Sequence, residues 1–302
     1  MLLMAAALSL LTGLGACAPR CHLSAISLGS GDLSPAGWRD ELQARAAVAF
    51  TNVVLFKPAD GGPEDLAARF APLILQELRG GPGGFFDEGD WLADLRDGGI
   101  VAGATNGAVV FVASDAVTLQ GASHVRLTYL WSYAAGSAPA LPVQGLRITL
   151  GAGGEPAVYE VLAEPQPARL VFVSRSLENA CRTASGDPLP GRRFSAESAV
   201  SGVGEAVVAR VIEDGPIPLG PIIYLRARTR AVATVTCRCM PSQARAVMAN
   251  RTYRLARVAA LAEIPGVSGL WHRLGERAAF PLAEAGSGTP ALGDRLRLPA
   301  GF

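Results

Sequence analysis

Cys237 and Cys239 stand one residue apart in the stretch TVTCRCMPSQ, residues 234–243. Thiols so placed can clamp a soft metal ion, exchange electrons as a dithiol, or be cross-linked to cysteines elsewhere. A metal site needs three or four ligands. His22, His124 and His272 are the only histidines, none stands at a ligand spacing to the pair, and no C-x-x-C occurs. No metal or other cofactor is therefore expected, and the choice between exchange and cross-linking turns on the redox compartment.

Three further groups are candidates for chemistry. If PIIYLRARTR is one strand, Tyr224, Arg226, Arg228 and Arg230 share a face, and a row of guanidiniums grips phosphate or carboxylate; a solvated sheet face with scattered ion pairs is the plainer explanation. In FFDEGDWLADLRD, read as helical, Asp90 and Asp94 share a face with Asp87 and Glu88 just before. Paired carboxylates do acid–base work or bind calcium, whereas acids at a helix N-terminus commonly just complement its dipole. His124 lies beside Arg126 on the polar face of a strand, and a general base there needs a partner the sequence does not reveal. His272 follows Trp271 in GLWHRLGER, where Leu270, Trp271 and Leu274 account for the stretch by core packing.

Local catalytic signatures are missing. GVSGL misplaces the serine of a G-x-S-x-G elbow, GVGEAV lacks the third glycine of a dinucleotide loop, and neither H-E-x-x-H nor a Walker loop occurs. With 27 basic against 26 acidic residues, the net charge of +1 offers no bulk electrostatic basis for a nucleic-acid partner. The 18% charged and 50% hydrophobic content describes a chain with ample material for a core.

The N-terminal run MLLMAAALSLLTGLGACAPRC is apolar and uncharged through Ala18, shorter than the about 20 residues a membrane-spanning helix needs. Its length suits the core of a signal peptide, although the first basic residue is Arg20. Leu14-Gly15-Ala16-Cys17 resembles the lipobox of bacterial lipoproteins. That resemblance, confined to the N-terminus, implies cleavage after Ala16, a lipid on Cys17, a membrane partner through that lipid, and residence in the cell envelope. Export would oxidise the remaining cysteines, Cys21, Cys181, Cys237 and Cys239. They allow three pairings. A bond between Cys237 and Cys239 is the least attractive, because an extended segment spaces their Cα atoms about 6–7 Å apart. Bridges from the pair to Cys21 and Cys181 are expected instead, with one bridge from Cys181 as the fallback.

The elements that must position these groups follow from periodicity. Pro35 opens a helix carrying Trp38 and Leu42, residues 53–56 form a strand, and PEDLAARFAPLILQEL places Leu66, Phe70, Leu73 and Ile74 on one helix face, kinked or divided by Pro72. Alternation predicts strands over 108–114 and 124–133, a hairpin of 146–150 and 157–162 around a glycine-rich loop, and a strand in RLVFVSRS. A short helix over 176–183 carries Cys181. Three more strands lie in AVVARVIED, PIIYLRART and AVATVTCRC, and PSQARAVMA and YRLARVAALAEI read as helices.

The expected architecture is α+β, a mostly antiparallel sheet with helices toward both ends. Residues 1–16 would be the signal peptide, 17–34 a tether, 35–283 one globular domain and 284–302 a lightly ordered tail. The function expected is a binding or assembly role in the envelope rather than catalysis. The rivals are a hydrolase of anionic substrates using His124, Asp87, Asp90 and the arginines 226, 228 and 230, or a thiol redox or metal-handling protein built on Cys237 and Cys239.

Overall fold

The computed structural model of the chain describes residues 37, 40, 41, 44, 50–59, 64–78, 92–96, 99–101, 108–133, 143–162, 169–199, 205–227, 230–239, 244–259 and 292–302. These residues are mostly sheet, and eleven strands form a nearly closed barrel, which replaces the expected α+β layering. The strands are β1 (Phe50–Pro58), β2 (Leu73–Glu77), β3 (Leu92–Arg96), β4 (Gly99–Val101), β5 (Ala108–Leu119), β6 (Ala122–Tyr133), β7 (Val143–Leu150), β8 (Pro156–Leu162), β9 (Arg169–Ser174), β10 (Ala206–Ile212), β11 (Ile222–Leu225), β12 (Val232–Thr236) and β13 (Ala244–Arg257). Around the barrel they run β10-β9-β8-β7-β6-β5-β13-β1-β2-β11-β12, with β3 attached to the end of β6 and β4 paired to β3.

β5 to β9 form an antiparallel meander that contains the strands alternation predicts, with β5 running on to Leu119 beyond the expected end at Ser114. Gly154, at φ 81°, takes the left-handed position of the β7–β8 turn that glycine occupies without steric penalty. The larger departure is β13. Alanine and arginine favour helices, so residues 241–264 read as two of them. The structure instead inserts 244–257 between β1 and β5, parallel to both. Backbone pairing along both edges outweighs a propensity of a few tenths of a kcal/mol per residue. The helix read across 63–78 is likewise cut: α1 (Leu66–Arg69) is capped by Asp65, whose Oδ1 accepts the Ala67 N–H at 3.0 Å, and it ends at its C-cap Phe70, with Pro72 standing between it and β2. Residues 92–96, expected in a helix, are strand β3. Two helical readings hold: Gly37, Asp40, Glu41 and Ala44 are helical, and α2 (Arg175–Ser185) carries Cys181.

Eleven strands enclose a lumen wider than the eight-strand barrel whose interior side chains alone just fill. Here it is filled by aromatics, including Phe56, Tyr129, Trp131, Tyr133, Tyr159, Phe172 and Tyr253, and by the α1 segment, which contributes Ala67, Phe70 and Ala71. A helix this short satisfies few of its own carbonyls, and the barrel wall and its adjoining turns supply the missing donors. The hydroxyl of Tyr129 donates to Ala67 O at 2.8 Å, that of Tyr253 to Pro72 O at 2.6 Å, the Gly220 N–H to Arg69 O at 3.1 Å, and the Arg238 guanidinium to Ala71 O. Burial pushes both tyrosine hydroxyls well above their usual range and depresses the Arg238 pKa. Gly220 has no room for a side chain, since a Cβ there would lie 2.2 Å from Phe70 O and 2.5 Å from Ala71 O.

Outside the barrel, a second apolar layer joins Val158, Val171, Val173 and Val208 to Leu177 and Cys181 of α2. The C-terminal residues belong to it. Leu292 of α3 (Leu292–Arg295), Leu296, Leu298 and Phe302 are buried there, although the composition of 284–302 suggests a lightly ordered tail.

Tyr129→Phe and Tyr253→Phe each keep the ring and orphan a buried carbonyl, so each lowers unfolding stability by about 1–3 kcal/mol. The readout is a lower urea midpoint at unchanged slope. Gly220→Ala costs more than Gly293→Ala, whose Cβ meets only Leu119 Cδ2 at 3.5 Å; equal midpoints for the two would remove the packing argument.

Candidate functional site

β12 leaves the sheet at Cys237. Its last inward residue, Val235, lies in the barrel core; Cys237 packs partly buried against the same core, and Cys239 is exposed. Residues 237–239 turn instead of running extended, which brings the Cα atoms of Cys237 and Cys239 to 5.2 Å, and the two are disulfide-bonded. This corrects the expectation that the pair would bridge outward: the extended spacing assumed for it does not exist, and 5.2 Å lies within disulfide range. The Cys239 N–H donates to Cys237 Sγ at 2.9 Å.

Cys181 is a free thiol, fully buried beneath α2 in the outer layer, with its pKa pushed up to about 12 by burial and, secondarily, by the Glu178 charge. It therefore bridges neither member of the pair. Cys17, the expected lipid acceptor, and Cys21 lie outside the described residues.

Residues 213–219, EDGPIPL, run beside the disulfide. A Cβ on Gly215 would come 3.2 Å from Cys237 Sγ, so the loop backbone rests against the sulfur. Two acids tie this loop to the start of α2. Asp214 accepts the Ser176 N–H at 2.8 Å, complementing the Ser174 cap on Leu177 N, and Glu213 forms a two-pronged pair with Arg175. The hydrogen bond from Arg175 holds the Glu213 carboxyl below the usual range, and the same bond raises Arg175.

Between this loop, the β7–β8 turn and residues 237–239 lies a cleft of about 520 Å³, lined by Glu155, Pro156, Tyr159, Ser176, residues 213–219 and residues 237–239. Ile217 and Leu219 stand exposed on its rim, at 64% and 38%. A second pocket of about 290 Å³ lies between the ends of β10 and β12, lined by Arg175, Phe194, Arg210 and Thr236 among others. Glu213 and Cys237 border both. These strands are the two ends of the sheet order and close the barrel without ladder pairing, so the paired pockets follow the seam.

The other candidates are dispersed. His124 is 2% exposed, stacks on Phe302 at 4.7 Å, and its Nδ1 lies 3.0 Å from Leu150 O. Its strand, β6, is separated from β11 by β5, β13, β1 and β2. The arginine stripe does not form, because β11 ends at Leu225 and the chain turns, with Arg230 N–H donating to Arg226 O and Arg230 at φ 57°. Arg226 pairs with Glu77 at 3.5 Å and covers the Phe50 ring, while buried Arg230 covers Tyr133. Asp87, Asp90, Arg228 and His272 lie outside the described residues. Among the described residues, no three His, Cys, Asp or Glu side chains are grouped to hold a metal.

Sequence reading missed the 213–219 loop. Its Gly and Pro mark a turn, but nothing local says that it lies on Cys237. No family model, curated protein or solved structure matches the chain.

By NMR titration the Glu213 carboxyl ionises below the ordinary glutamate range, and Arg175→Ala returns it there. Because the folded pKa is the lower one, the small stabilisation from this exposed pair is present above the unfolded pKa and is lost as pH falls through the folded value. Cys181 resists iodoacetamide at pH 8 in the native protein and alkylates once urea unfolds it; rapid native labelling would place it at the surface.

Proposed function

We propose that this protein is an exported, lipid-anchored envelope component whose barrel binds an extended segment of a partner polypeptide along the β10–β12 seam. The observation that carries the reading is the seam itself: two edge strands without a ladder between them, flanked by adjoining clefts. Edge strands and apolar grooves are recurrent acceptors of extended peptides. Pro216, Ile217, Pro218 and Leu219 offer an apolar wall, and three acids, Glu155, Glu213 and Asp214, outnumber the one arginine of the lining, Arg238, which is turned to Ala71 O, so the segment it fits is apolar with basic side chains. The barrel lumen is packed with side chains, which leaves binding to the rim.

The anchor rests on the lipobox resemblance. It is tested by expressing the full chain and Cys17→Ser in a bacterium: the parent partitions with membranes and carries added acyl mass, and the variant is soluble. A parent that retains Met1 and stays in the cytoplasm refutes export. Binding is tested with a capped alternating Lys–Leu peptide by fluorescence anisotropy. Ile217→Asp weakens it at least roughly tenfold, since burial of an aliphatic side chain contributes about 1.5–3 kcal/mol; an alternating Glu–Leu peptide binding equally well would sink the complementarity.

A further inference from the structure

We propose that Cys237–Cys239 is a thiol–disulfide exchange site, acting on a cysteine-bearing polypeptide laid along the cleft; this rests on the peptide-binding reading above. A cross-link between residues two apart closes the smallest of loops, and the stabilisation a disulfide draws from loop closure grows with loop length. Structural stapling therefore explains this bond poorly. Its setting explains it better: Cys237 borders both pockets of the seam, and Cys239 lines the 520 Å³ cleft and is exposed. Exposed disulfides are the labile and catalytic ones.

The two sulfurs are unequal, and that sets the order of events. A substrate thiolate arriving from the cleft attacks the exposed Cys239 Sγ. The Cys237–Cys239 bond breaks, its electron pair leaves on Cys237, and a mixed disulfide joins Cys239 to the substrate. The departing Cys237 thiolate is met by the Cys239 N–H, which already points at Cys237 Sγ at 2.9 Å. A second substrate thiolate then attacks the substrate sulfur of the mixed disulfide and expels the Cys239 thiolate. The substrate dithiol has lost two electrons and two protons to become a disulfide, and the pair has gained two electrons and takes up protons. A low-molecular-weight disulfide such as oxidised glutathione resets it by the reverse exchange. Buried Cys181 takes no part, since an attacking thiol has no access to it. Gly215 keeps its side of Cys237 free of a side chain.

The test uses the full chain, oxidised, and a capped Lys–Leu peptide containing two reduced cysteines, followed by mass spectrometry. One equivalent of protein oxidises one equivalent of peptide, and Cys181→Ala does so unchanged. With the oxidised peptide as probe, Cys237→Ser traps a mixed disulfide through Cys239 at least tenfold faster than Cys239→Ser does through Cys237. Circular dichroism of both variants verifies the fold, and the wild-type oxidation assay stands without them. No peptide oxidation, or equal trapping rates, overturns the proposal. A serine-for-cysteine peptide separates the two readings. If it binds while the dithiol peptide stays reduced, exchange fails and peptide binding stands. Should it not bind while the dithiol peptide is oxidised no faster than dithiothreitol, the cleft reading fails and exchange alone remains.

Discussion

The carbonyls of residues 67, 69, 71 and 72 lie at the centre of this structure's physics. A barrel of eleven strands has a lumen that side chains from its wall fill only with help, and the help is a backbone segment. A backbone brought into an apolar interior must find partners for its polar groups or forfeit most of what its burial contributes. Tyr129 and Tyr253 supply them from the wall, and Arg238 and the Gly220 amide from the segments that flank strands β12 and β11. Each is held where burial would otherwise be costly: the tyrosines stay protonated, and the arginine trades hydration for a carbonyl.

The same plug organises the cleft. Arg238 lies between the two cysteines, so its hold on Ala71 O sets where residues 237–239 leave the barrel. Gly220 closes the other side, since it follows the 213–219 loop directly and its N–H is anchored to Arg69 O. The two walls beside the disulfide thus refer to one inserted segment. The loop's opposite end is fixed by Glu213 and Asp214 at the start of α2, leaving Ile217 and Leu219 to project between two anchored points.

Buried ionic groups do comparable work on the outer layer. Glu178 accepts the N–H groups of Ser195 and Ala196, and Glu197 those of Arg193, Phe194 and Val208. A carboxylate with several backbone donors bears burial well, and these two hold the 193–197 turn onto the sheet. On β8, Glu160 lies between Arg147 at 3.9 Å and Arg169 at 3.3 Å, across three neighbouring strands. Pairs of this kind add little net stability over an apolar substitute, but breaking one leaves a buried charge. Their effect here is on register: a slip of any of the three strands would part the charges.

Much of the meander was legible, because a strand that turns alternate apolar side chains to the lumen writes its period into the residues themselves; Leu127, Tyr129 and Trp131, or Leu146, Ile148 and Leu150, need no distant partner to be recognised. The same holds for the turn at Gly154 and for the helix around Cys181. β13 was not legible, since its partners β1 and β5 are remote in the chain and its alanines and arginines favour a helix until both edges are paired. Nor was the arginine row, which the turn at Arg230 splits to opposite sides of the wall. The types of the chemically capable residues were therefore readable by themselves: two cysteines one residue apart, and no local signature of a hydrolase or metal site. That the cysteines pair with each other, and face an acidic, apolar-walled cleft, was decided only when a turn shortened their Cα separation to 5.2 Å and a loop from another strand came to rest on the sulfur.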